Sequence, residues 1–272
     1  MFWTRLFSGI ALLAIALVTI ILNGPILLIT LWLVSMEAYT ELVKATGACR
    51  KDKKWDMIRT IGVLFITLYY IAVFIQNKEA AVAVVVLSMI AYMFGYVFSF
   101  PGYISDQVMA AFTAFFYGPV LLSFIYWTRN LPIGAYLVWM IFISSWGCDT
   151  CAYCVGVLFG KHKMTPVLSP HKSVEGAIGG VVGAAILGGL YAGILVGPKV
   201  GQDDLIWVFA LIGAAGGLIS MVGDLAASAI KRNHEIKDYA KLIPGHGGIM
   251  DRFDSVIFTA PIIYFLSVWL LA

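Results

Sequence analysis

Four aspartates stand in or beside apolar runs, where an ionised group is expensive: Asp149, Asp224, Asp251 and Asp254. A carboxylate inside a membrane span asks for a partner or a cavity. Asp224 lies seven residues before Lys231, about 10 Å along a helix that rises 1.5 Å per residue. Asp251 and Asp254 are three apart and so share a helical face. The intervening stretch reads Lys231-Arg232-Asn233-His234-Glu235-Ile236-Lys237-Asp238, then Pro244-Gly245-His246-Gly247-Gly248-Ile249-Met250-Asp251-Arg252-Phe253-Asp254. Its clustered Lys and Arg suit phosphate oxygens, and Gly245, Gly247 and Gly248 let the backbone approach a ligand and turn N–H groups toward an anion. Carboxylates beside phosphate binders favour a hard divalent ion, since Mg²⁺ takes one or two carboxylates and completes its shell with substrate phosphates and water. The combination predicts metal-assisted phosphoryl or nucleotidyl transfer. Lys/Arg-rich loops between spans also serve as topology anchors, but anchoring requires neither a Gly-rich turn nor carboxylates.

A second polar segment reads Gly160-Lys161-His162-Lys163, then Ser169-Pro170-His171-Lys172-Ser173-Val174-Glu175-Gly176. Ser169 or Ser173 suits the N-cap of the following helix, with Lys172 near a dipole end that favours anions. On local sequence alone a plain N-cap is the simpler reading. Asp149 lies about twelve residues before Lys161, deeper than the other aspartates if its helix is continuous. An interhelical hydrogen bond would account for it, at a high energy for the purpose. Cys148, Cys151 and Cys154 are spaced three apart, but structural zinc needs four ligands, and small residues within spans ordinarily serve close helix packing. The same packing role is expected of Gly176, Gly180, Gly189, Gly193 and Gly197. His162, His171 and His234 read as solvated.

These residues must be carried by membrane helices. Of 272 residues only 12% are charged and 61% are hydrophobic, against about 25% charged in a soluble domain. The expected fold is all-α and polytopic. Nine apolar runs reach spanning length, at about 6–22, 25–43, 60–76, 80–98, 107–127, 133–158, 174–196, 205–230 and 255–272. The first resembles a signal sequence but lacks a small-residue cleavage site and passes through Asn23-Gly24-Pro25 into the next run. With nine spans, 15 of the 18 Lys and Arg fall on one side and Lys78, Arg129 and Lys199 on the other. The positive-inside rule then puts the N-terminus in the cytoplasm and the C-terminus outside. Composition divides the chain into a scaffold of apolar, aromatic spans over 1–130 and a catalytic region over 131–272, which holds the aspartates and most glycines. A net charge of +3 is too small to suggest nucleic acid. The four cysteines form no extracellular-style framework.

From Ser228-Ala229-Ile230-Lys231-Arg232 through Asp254 the chain closely resembles the phosphatidate cytidylyltransferases, or CDP-diacylglycerol synthases. The Asp149-Thr150 and Ser169-Pro170 to Glu175-Gly176 segments look like further motifs of that family, in its usual order. The N-terminal half is similar only in span pattern, and the cysteine at position 151 departs from the small non-thiol residues usual there. The resemblance implies transfer of CMP from CTP to phosphatidic acid at a Mg²⁺-dependent site on the cytoplasmic side of a plasma or inner membrane, giving CDP-diacylglycerol and pyrophosphate. It implies Asp224 and Asp251 as metal ligands, with room for a second cation, and Asp254 as a third or supporting carboxylate. Lys231, Arg232, Lys237, Arg252, His246 and the Gly247-Gly248 backbone become phosphate contacts. Ser169, Lys172 and Glu175 complete the site from the facing segment, and Asp149, Ser228 and Asp238 are its outlying members. No protein nucleophile is needed, because the phosphomonoester is already an anion and the enzyme's task is to neutralise charge and align two polyanions.

Two other classes share some of these features. An organic-anion transporter would also place carboxylates, broken helices and glycines within the membrane. A CDP-alcohol phosphotransferase would share the metal and lipid chemistry, but no Asp-Gly-x-x-Ala-Arg run is present. A non-catalytic scaffold leaves the carboxylates unexplained. The Gly-rich faces are compatible with a homodimer.

Overall fold

The computed structural model describes residues 2–49, 56–202, 204–243, 245 and 247–271. His246 and the cations Arg50, Lys51, Lys53 and Lys54 lie outside them. Each expected apolar run is helical: α1 Phe2–Leu22, α2 Gly24–Ala45, α3 Met57–Phe74, α4 Lys78–Ser99, α5 Ser105–Arg129, α6 Gly134–Phe159, α7 Val174–Val200, α8 Leu205–Asn233 and α9 Met250–Leu270. Among the described residues, α2 to α9 are eight helices long and apolar enough to cross a membrane, and Ser8–Leu22 of α1 is a shorter apolar helix. The protein is an all-α polytopic membrane protein.

Helix ends follow local chemistry. Asn23 and Gly24 adopt positive φ and Pro25 opens α2, a position where its missing N–H leaves nothing unsatisfied. Asp56 and Asn77 cap α3 and α4 by accepting the N–H groups of Arg59 and Ala80, each at 2.9 Å. Three helices contain single π-turns: Phe116–Val120 in α5, Ile143–Gly147 in α6 and Ala192–Val196 in α7. The segment after α6 contains two short strands. Lys163–Thr165 and Ser169–Ser173 pair as an antiparallel hairpin, β1 and β2.

Two compact units emerge. The first comprises residues 1–127 with 233–252, the second 128–232 with 253–272. The core of the first is aromatic, with hydroxyls that satisfy one another. Tyr39 donates to the Ile58 carbonyl at 2.8 Å and pairs with Tyr92 at 2.8 Å, Ser35 pairs with Tyr70 at 2.6 Å, and Tyr69 pairs with Ser123 at 3.0 Å. Buried tyrosines retain such partners because an unpaired buried hydroxyl is costly.

The second unit packs through small residues, as helices do where lipid removes the hydrophobic drive to associate. A Cβ on Gly176 would stand 2.8 Å from the Ala152 carbonyl, and one on Gly180 2.9 Å from Cys148 Sγ. On the next helix, a Cβ on Gly213 would stand 2.4 Å from the Ala184 carbonyl. Cys148 is buried and donates its thiol to the Gly217 carbonyl at 3.4 Å, so its small size and weak polarity serve packing.

Candidate active site

In the second unit the hairpin delivers a cation to a helix-borne carboxylate. Lys163 pairs with Ser173 and Thr165 with Ser169, which places Lys172 two residues before α7. There Ser173 Oγ caps the helix by accepting the Gly176 N–H at 3.1 Å, as one of the two expected serines. Glu175 secures the start of β1 at the same open end of the hairpin, accepting the N–H groups of Lys161 at 3.1 Å and His162 at 3.2 Å and pairing with His162 Nδ1 at 2.6 Å. Thus fixed, Lys172 forms an ion pair with Asp224 of α8, and their side chains remain 26% and 30% exposed. The pair borders a cavity of about 480 Å³ whose polar lining is Asp149, Ser169, His171, Lys172, Ser173 and Asp224.

Two further carboxylates lie within electrostatic reach of Asp224, Asp149 on α6 and Asp254 on α9, and Lys231 acts on Asp254. The α6 π-turn ends at Gly147, two residues before Asp149. Such a turn inserts one residue into the helical register, and so sets which face Asp149 occupies. Gly223 brings α8 and α9 together, since a Cβ there would stand 2.7 Å from the Asp254 carbonyl. The cavity region therefore gathers three carboxylates, an ammonium, hydroxyls and an imidazole. Oxygen donors with excess negative charge suit a hard cation, and the cations with the α7 N-terminus suit phosphate. Among the described residues no three His, Cys, Asp or Glu already stand in ligating geometry.

Asp251 belongs to the first unit. It is 7% exposed, and its Oδ2 accepts the N–H groups of Tyr239 at 2.9 Å and Gly248 at 3.0 Å. Gly247 has φ +85°, and its carbonyl accepts the Ile243 N–H at 2.8 Å. A second carboxylate of the same unit, Glu41 of α2, accepts the N–H groups of Ile249 at 2.9 Å and Met250 at 2.8 Å. The N–H of Gly248, expected to meet substrate phosphate, is engaged by Asp251.

Arg232, Lys237, Asp238 and Arg252 are exposed and Ser228 is half-buried. His246 lies outside the described residues. Glu41 was missed by sequence reasoning: it lies in an apolar run, but near its end and close to Glu37 and Lys44.

Comparison with known proteins places the chain in a family. The model of the cytidylyltransferase family matches residues 3–270. The chain is similar to the phosphatidate cytidylyltransferase of Staphylococcus haemolyticus, with 30% identity over 270 residues that cover 97% of this chain and 98% of the relative. It is also similar to the phosphatidate cytidylyltransferases of Staphylococcus epidermidis and Staphylococcus saprophyticus. These are 35% identical over 164 residues and 33% identical over 159, each covering 58% of this chain and 59% of the relative.

Proposed function

The chain belongs to the cytidylyltransferase family, and from that premise we propose that it transfers CMP from CTP to phosphatidic acid. A phosphate oxygen of phosphatidate attacks the α-phosphorus of CTP, the bond from that phosphorus to the β-phosphate bridging oxygen breaks, and pyrophosphate leaves. CDP-diacylglycerol remains in the membrane. The observation that carries the reading is the Lys172–Asp224 pair in the wall of the cavity, a cation and a carboxylate set side by side among membrane helices.

Lys172 offsets substrate phosphate charge, and Ser169 and Ser173 border the same space. Lys231 and the exposed Arg232, Lys237 and Arg252 supply further positive charge. Asp224, with Asp149 and Asp254 near it, supplies the oxygen donors for Mg²⁺; the sequence motif rather than the geometry names Asp251 as a further ligand. When bound, Mg²⁺ neutralises phosphate charge and orients the leaving group. The ion pair with Lys172 holds the Asp224 side chain in place while the two polyanions arrive. We also propose that the site faces the cytoplasm, on the strength of the 15-to-3 division of Lys and Arg.

Purified protein with labelled CTP and phosphatidic acid, with and without Mg²⁺, tests the reading. Lipid-soluble label that needs both substrates and the cation is the expected result. Uptake of a labelled anion into vesicles without any lipid nucleotide would instead point to a transporter.

A further inference from the structure

Glu41 is a buried carboxylate in a helix otherwise read as scaffold. It is 1% exposed, and burial of an ionised carboxylate requires strong compensation. Its own helix gives little, since Glu41 stands four residues before the end of α2, toward the pole that disfavours negative charge. The compensation comes from the other end of the sequence. Oε1 accepts the Ile249 N–H and Oε2 the Met250 N–H, the first N–H groups of α9, where the dipole favours an anion.

The glycines before α9 fit this contact closely. A Cβ on Gly248 would stand 2.5 Å from both Glu41 carboxylate oxygens, and one on Gly247 would stand 2.9 Å from Asp251 Oδ2. Neither leaves room for a side chain. Successive N–H groups are thus divided between two internal carboxylates, Gly248 to Asp251 and Ile249 and Met250 to Glu41. This turn has the form of an anion cradle already filled by the protein itself.

We infer that Glu41 is a positioning residue: it locks the Gly248–Met250 turn and thereby holds the Asp251 carboxylate in its working orientation. The inference rests on the cytidylyltransferase reading for its catalytic consequence, and on geometry alone for the lock. It also means that substrate phosphates are met by cationic side chains rather than by these N–H groups.

The test uses full-length protein in detergent. In Glu41→Gln one amide oxygen accepts a single N–H while the amide nitrogen opposes the other. Groups that orient a ligating carboxylate typically cost 10–100-fold when removed, so kcat should fall by about that factor, with KM for CTP and for phosphatidate each changed less than about threefold. Hydrogen exchange of the Ile249 and Met250 amides should accelerate, a readout independent of turnover. Gly248→Ala should lower kcat in the wild-type background and do so far less in Glu41→Ala, where the clash is gone.

A Glu41→Gln variant with wild-type kcat and unchanged exchange would overturn the inference. So would a variant in which kcat, CTP binding and thermal stability fell together, which would make Glu41 a structural cap only. A fall in KM for CTP would overturn it differently, by showing that Glu41 had been occupying a phosphate site. If the wild-type protein made no CDP-diacylglycerol, the function reading would fail, and hydrogen exchange of the Ile249 and Met250 amides in Glu41→Gln would still decide the lock.

Discussion

At the residue scale, the Lys172–Asp224 pair makes the sharpest predictions. Lys172→Gln removes charge-assisted bonds worth about 1.5–3 kcal/mol, so kcat/KM should fall by roughly tenfold to more than a hundredfold. Lys163→Gln, on the exposed start of the same hairpin, should stay within about twofold when both are assayed at equal membrane insertion. Asp251→Asn keeps shape but discards charge, and steady-state turnover should drop by orders of magnitude in protein that still inserts; near-normal turnover with an unchanged Mg²⁺ requirement would remove Asp251 from the metal site. The aspartates were legible in the sequence because a carboxylate in an apolar run has few innocent explanations. Glu41 was not read, because with Glu37 and Lys44 nearby it passes for an interfacial charge, and only the fold brings residue 249 to it.

At the element scale, the apolar runs located the helices well, since length and hydropathy are what the bilayer selects. The hairpin was illegible for the opposite reason: Lys163 to Ser173 has no two-residue alternation, and its pairing is held by Ser173, Glu175 and the flanking helices rather than by strand propensity. The π-turns leave no compositional mark either. Packing of α7 against α6 and α8 makes its own prediction. A Cβ on Gly176 meets backbone at 2.8 Å, whereas one on Gly189 meets Ala210 Cβ at an ordinary 3.5 Å. Gly176→Ala should therefore destabilise the protein by about 1–3 kcal/mol and Gly189→Ala by less than about 0.5 kcal/mol, read as thermal unfolding in detergent.

At the scale of the whole molecule, the charge asymmetry predicts a topology that chemistry can check. Cys49 is buried, with its sulfur 3.4 Å from an Arg59 nitrogen, so it makes a poor reporter. Cysteines placed at the exposed positions Lys163 and Lys199 are better. In intact cells an impermeant maleimide should label the variant at 199 and spare the variant at 163, and the reverse pattern would invert the proposed orientation. The Glu41 contact also bears on how the polypeptide is made. Its partner Ile249 follows 208 residues later, which at about 5–20 residues per second takes the ribosome about 10–40 s. During that interval α2 holds a carboxylate whose final partners do not yet exist. Until residues 249 and 250 have been made, Glu41 therefore lacks the two N–H groups that it accepts in the folded protein.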